Sequence, residues 1–208
     1  MKSYLHPSKR VEVVYPPATY DERINDFVAL DLETTGLKRT EDIIEIGAIR
    51  VRQGKAVKKF STFVKPRKSV PYLIEEITGI TNIMLADAPP IEDVMPGLIK
   101  FIGDDVLLGH NIVSYDSKFI CREAAELGFL IKNPLFDTLT YARRLKKLMP
   151  MPDSLSLSSL CDFFNIDREL CHRAYDDALA NIKVFYYLRA LEERYGKCSG
   201  GISLKENK

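Results

Sequence analysis

Apolar positions in this chain come first as short, densely filled runs and later as stripes at helical spacing. Phe27-Val28-Ala29-Leu30-Asp31-Leu32 gains acids only at its end, the pattern of a strand covered on both faces. Thr34-Thr35-Gly36 then break it. Ile43 to Val51 and Ala56 to Val64 read as two more strands, turned at Gln53-Gly54-Lys55. A proline-rich stretch follows, then an amphipathic helix from about Ile91 to Ile102. Val106-Leu107-Leu108-Gly109 reads as a strand, and Phe119, Ile120, Ala124 and Leu127 recur at helical spacing. Phe136-Asp137-Thr138 reads as a short strand end, Leu139 to Leu148 as a helix, and Ala174 to Tyr195 as the last long helix. A hairpin of strands, followed by strands alternating with helices, predicts an α/β fold with a mixed sheet flanked by helices.

The organisation expected is an N-terminal extension over residues 1–26, one domain over 27–195 and a frayed tail over 196–208. A chain of 208 residues with 46% hydrophobic and 28% charged residues can bury a core that needs no staples. The formal charge of +1 neither requires nor excludes a polyanionic partner. Distribution is more telling. Residues 50–68 carry Arg50, Arg52, Lys55, Lys58, Lys59, Lys65, Arg67 and Lys68 with no acid, and Arg143-Arg144-Leu145-Lys146-Lys147 forms a second cluster. Such runs can track phosphates, though most are solvated faces. The four cysteines (Cys121, Cys161, Cys171 and Cys198) form no CxxC pair, and Cys121 and Cys161 sit among apolar residues as buried thiols do. Residues 1–10 lack the apolar run of a secretory signal, and no stretch approaches ~18 apolar residues. A cytoplasmic protein with no membrane partner is the expectation.

Asp31 and Glu33 stand two positions apart on a strand, so both side chains leave the same face while Leu30 and Leu32 point into the core. Paired carboxylates repel, and a cation lets them coexist. Hard oxygen donors suit Mg²⁺ or Mn²⁺ better than zinc. Alone, Asp-x-Glu is common by chance. A second piece is Gly109-His110-Asn111-Ile112-Val113-Ser114-Tyr115-Asp116, where a strand ends and a helix begins, with Asp116 at the helix start. The third is His172-Arg173-Ala174-Tyr175-Asp176-Asp177. Five helical positions turn a side chain by about 140°, so His172 and Asp177 share a site only if His172 lies in the loop before the helix. Asp176 reads as an ordinary first-turn acid favoured by the helix dipole.

Taken in order, Asp31-x-Glu33 before Thr34-Thr35-Gly36, His110-Asn111 ahead of Asp116, and His172-x4-Asp177 resemble the DEDDh exonuclease family, which includes the epsilon-type proofreading subunits of bacterial DNA polymerase III. Phe136-Asp137-Thr138-Leu139 and Thr78-Gly79-Ile80 look like further landmarks. The resemblance implies a ribonuclease H-like fold with the second strand antiparallel. It also implies that Asp31, Glu33, Asp116 and Asp177 converge on two Mg²⁺ or Mn²⁺ ions. Asp31 would bridge them, Glu33 and Asp177 would hold the nucleophile-side ion, and Asp116 would act largely through water. His172 would be the general base, worth roughly 10²–10⁴-fold for a group that titrates near neutrality. The implied substrate is a single-stranded 3′ end, DNA ahead of RNA, with an exonuclease of the same fold acting on RNA ends as the alternative, since the residues that would read a 2′-OH are not marked in the sequence. A DNA polymerase would be a partner in proofreading, since no polymerase domain is read here. Leu32, Thr34, Thr35, Gly36, Ile80, Asn111 and Tyr115 are the expected contacts to the terminal nucleotide.

One departure stands out. Five residues separate His110 from Asp116, where the family usually has four, and Tyr115 occupies a position where Phe is common. A bulge at the strand-to-helix turn can absorb the extra residue, which bears on His110 and Asn111 more than on Asp116. His172 argues against the histidine-free branch of the family. Two rival classes remain. Asp31-x-Glu33-x-Thr35 half-resembles the nucleophile motif of haloacid dehalogenase phosphatases, but this leaves His172 and Asp177 without a task. A non-catalytic binding module is disfavoured because all four acids and His172 are present.

Overall fold

The computed structural model describes residues 13–19, 21–167 and 172–199, with side chains described as far as residue 195. Half of the expected extension, Cys171 in the expected loop and the tail beyond Ser199 lie outside the described residues. Five strands form one sheet: β1 (Phe27–Thr34), β2 (Ile43–Arg52), β3 (Lys55–Phe63), β4 (Val106–Gly109) and β5 (Leu135–Asp137). Their order is β3-β2-β1-β4-β5. β2 runs antiparallel to both β1 and β3, whereas β4 and β5 run parallel to β1. The antiparallel second strand agrees with the fold expected from sequence.

Helices cover both faces of the sheet. α2 (Ile91–Ile102) and α3 (Asp116–Glu126) lie on one, and α4 (Thr138–Lys146), α5 (Leu157–Phe163) and α6 (Ala174–Ser199) on the other. β1 shows why. Val28, Leu30 and Leu32 join the core under α2 and α3, and Phe27 and Ala29 join the core under α6. With side chains alternating along the strand, Asp31 and Glu33 continue the Phe27–Ala29 row and emerge on the α6 side. Phe185 of α6 is fully buried and meets Phe27 and Phe136 edge-on, at centroid distances of 5.5 and 5.1 Å. Truncating such a side chain costs roughly 3–5 kcal/mol, so this cluster anchors the last helix. Cys121 and Cys161 are buried, one in each core.

The sheet edges are guarded differently. β3 carries Lys55, Lys58 and Lys59 on an exposed edge, which discourages pairing with another chain. At the other edge, Thr19 donates to the Leu135 carbonyl at 2.8 Å, and Leu135 donates to Pro17 at 2.9 Å. The N-terminal segment is therefore laid along β5. Two short helices escape the sequence pattern, α5 and α1 (Tyr72–Thr78). Three of the eight cations in the basic run are paired: Arg50 and Arg52 with Asp105, and Arg67 with Asp42 and Glu123. Among the described residues no helix is long and apolar enough to cross a membrane.

Candidate active site

The C-terminal end of β1 opens into a pocket of about 280 Å³ lined by Asp31, Glu33, Asp116, His172 and Asp177, with Leu32, His110, Asn111, Tyr115, Ser156, Leu157 and Ser158 around them. The strand supplies the first two acids, the start of α3 the third and the first turn of α6 the last. Burial forces Asp31 well above the usual carboxylate range, and the charges of Asp116, Asp177, Glu33 and Glu45 add to this. Burial likewise lifts Glu33 to about 8, reinforced by Asp177 and Glu45 and opposed by Arg173. Asp116 is lifted to about 7 by burial, although its own N–H and that of Leu32 donate to its carboxylate. Burial and mutual repulsion thus make these acids keep their protons to higher pH than free carboxylates do.

Donor chemistry fits a cation. Glu33, His172 and Asp177 each present a ligand atom, all within 4.8 Å of one another. Carboxylate oxygens dominate the set, as hard divalent cations require. His172 lies in the loop before α6, as the helical geometry demands. Its backbone is left-handed, with φ 58°, and its N–H donates to Asp177 Oδ2 at 3.2 Å. The same carboxylate that faces the pocket thus fixes the loop that carries the imidazole.

Three buried devices hold these parts in place, and only the third, Asp137, falls in a landmark read from the sequence. Gly47 of β2 pairs with Asp31, and a Cβ there would stand 2.2 Å from the Ala174 carbonyl carbon. The start of α6 therefore lies directly on the β2 backbone. Next to it, Glu45 pairs with Glu33 across the sheet and is almost fully buried. Its carboxylate takes the Arg173 guanidinium and, at 3.0 Å, the Ala174 N–H. Asp137 is the third. It caps α4 through Leu139 and Thr140, and it accepts from the N–H groups of Asn111 and Val113. The turn before Asp116 opens at Asn111, whose backbone is left-handed with φ 64°. Ser114 and Tyr115 both donate back to the Asn111 carbonyl in that turn.

His110 closes the floor. Its Nε2 donates to the Leu155 carbonyl at 3.0 Å, and its Nδ1 lies 3.0 Å from the Thr138 hydroxyl. Burial lowers its pKa, and its two ring contacts tie the α5 approach to β4. Among the expected nucleotide contacts, Leu32, Asn111 and Tyr115 line the pocket. The Tyr115 hydroxyl is 2.6 Å from Thr34 Oγ1 and donates to the Gly36 carbonyl at 3.2 Å. Thr34, Thr35 and Gly36 do not line the pocket; the two threonine hydroxyls serve the β1–β2 loop, Thr34 toward Gly36 and Thr35 toward Glu41 and Asp42. Ile80 corrects the sequence expectation. It is wholly buried with Ile44, Val70 and Leu85, because the chain turns inward after left-handed Gly79. It offers no surface to a base.

Residues 28–185 match the RNase T exonuclease family. This chain belongs to the DEDDh 3′→5′ exonucleases. Among its epsilon-type relatives, DNA polymerase III subunit epsilon of Aquifex aeolicus is 37% identical over 173 residues, covering 82% of this chain and 83% of that protein. PolC-type DNA polymerase III of Clostridium perfringens is 38% identical over 170 residues, covering 81% of this chain. The chain spans only 12% of that polymerase. A zinc-bound complex of E. coli exonuclease I with single-stranded DNA superposes with a TM-score of 0.75 at 18% identity, covering 84% of this chain and 42% of that one, which shows the shared fold. Exonuclease X in complex with 5′ overhanging duplex DNA gives a TM-score of 0.58 at 27% identity, covering 82% of this chain and 93% of that one. The chain thus has a ribonuclease H-like exonuclease fold.

Proposed function

We propose that this chain removes mononucleotides from the 3′ end of single-stranded DNA by hydrolysis. The observation that carries this is the meeting of Asp31, Glu33, Asp116 and Asp177, drawn from three separate elements, in one open pocket beside an exposed imidazole. Two divalent cations, Mg²⁺ or Mn²⁺, are the cofactors these acids would hold. When bound, such a pair polarises the scissile phosphate and stabilises the entering and leaving oxygens of an in-line displacement. His172 takes the proton of the attacking water on its imidazole. Tyr115 and the backbone at Leu32 orient the terminal nucleotide, and the clasp from Tyr115 to Thr34 and Gly36 keeps that wall in place.

The DNA assignment is supported by the exonuclease I and exonuclease X structures, both solved with DNA, and by relatives named as DNA polymerase III components. The epsilon likeness also supports a polymerase subunit as partner. End-labelled single-stranded DNA, a mismatched duplex and RNA should be compared with Mg²⁺, with Mn²⁺ and with excess chelator. Mononucleotides released from the DNA 3′ end in either metal bear out the proposal. Full activity in chelator, or internal cuts, overturns it, and faster loss of RNA moves the substrate to RNA.

A further inference from the structure

The basic cluster at the end of α4 is divided by the structure. Arg144 pairs with Glu192 and Glu22 and stacks on Tyr141. Lys146 donates to the carbonyls of Pro152 and Asp153. Arg143 takes neither course. It is exposed, forms no ion pair among the described residues, and lines a second groove of about 490 Å³ with Leu139, Asp153 and Leu155. His110, Asn111, Ser156 and Leu157 line this groove and the catalytic pocket alike, so the two are continuous. Tyr115, held by its hydroxyl to Thr34 and Gly36, lines the pocket and not the groove. A strand longer than the pocket therefore has its way out past His110, toward Arg143.

We propose that the DNA strand leaves the catalytic pocket between the His110–Asn111 turn and Ser156–Leu157, and that Arg143 binds a backbone phosphate on the 5′ side of the scissile bond. A planar guanidinium suits that task, since it offers two parallel donors to phosphate oxygens. Among the described residues Asp153 is the only acid in the groove lining and works against a phosphate, so the contact depends on Arg143.

This inference rests on the exonuclease reading. The test is a length series of single-stranded DNA, from the dinucleotide upward, cleaved by the unsubstituted chain, by Arg143→Ala and by Lys147→Ala. Lys147 removes the same charge from the exposed end of α4 and lies outside the groove lining. Expected for Arg143→Ala is a KM raised about tenfold on longer strands, with kcat and dinucleotide kinetics unchanged. Its log KM against log salt should lose about one unit of slope. Lys147→Ala should behave as the unsubstituted chain. Equal losses on dinucleotide and long strand, or equal losses in both variants, overturn the proposed path. Inactivity of the unsubstituted chain on every length overturns the exonuclease reading, and this inference with it.

Discussion

Glu45 and Arg173, 128 positions apart, form a forked ion pair in which the guanidinium donates from Nη2 at 2.8 Å and from Nε at 3.1 Å. The pair joins the strand beside the acids to the residue after His172, and Glu45 holds the Ala174 N–H as well. Neither residue lines the pocket. Both govern where His172 and Asp177 stand.

Glu45→Gln should therefore act on geometry. It keeps an acceptor for Ala174 but loses the charge that meets Arg173, which is worth about 1.5–3 kcal/mol for hydrogen bonds of this kind. Thermal unfolding should move down, and kcat should fall more than KM rises. A variant with full kcat would remove Glu45 from the positioning of α6.

Gly47→Ala should be harsher than its size suggests. The new methyl would collide with backbone rather than with a pliable side chain, and overpacking of this kind costs about 1–3 kcal/mol. Circular dichroism should still report a folded protein, while the rate of 3′-end hydrolysis drops by at least tenfold. Unchanged hydrolysis would mean that α6 can shift without disturbing Asp177.

Loss of the acids and loss of the imidazole should be distinguishable. Asp31→Ala or Asp177→Ala should abolish metal-dependent release of nucleotides. His172→Ala should cut turnover by about 10²–10⁴-fold. Calorimetric titration with Mn²⁺ should show metal affinity largely kept in the His172 variant and lost with Asp31.

Chelation should make stability depend on pH in a predictable direction. Glu33 ordinarily loses its proton near 4.5 but keeps it to about 8 in the folded chain. Between those values the folded state binds more protons than the unfolded one, so stability falls as pH rises. The benefit is complete below about 4.5 and gone above about 8. Denaturant midpoints measured in chelator should decline across this window, and saturating Mg²⁺ should flatten the decline. A flat profile in chelator would contradict the crowding of acids.

The strands were legible because β1 and β2 keep apolar residues on both faces, and α2 because its stripe is clean. The four acids were legible because their order and local spacing repeat a known pattern. α1 was not, since Tyr72, Leu73 and Ile77 leave apolar side chains in solvent and blur any amphipathic face. α5 hid behind Ser154, Ser156, Ser158 and Ser159, which read as loop although Ser156 caps the helix. Ile80 was misjudged because its motif neighbourhood says nothing of the inward turn at Gly79. Glu45 and Arg173 look like ordinary charges until the fold brings them together.

The order of the pieces along the chain has a consequence for biosynthesis. Asp31 and Glu33 leave the ribosome early, yet the fourth acid and the imidazole arrive only with α6, whose docking on Gly47 completes the pocket. A nascent chain halted before α6 holds the strand-borne acids but cannot assemble the cutting centre. On the proposed reading, hydrolysis therefore waits until α6 has been made.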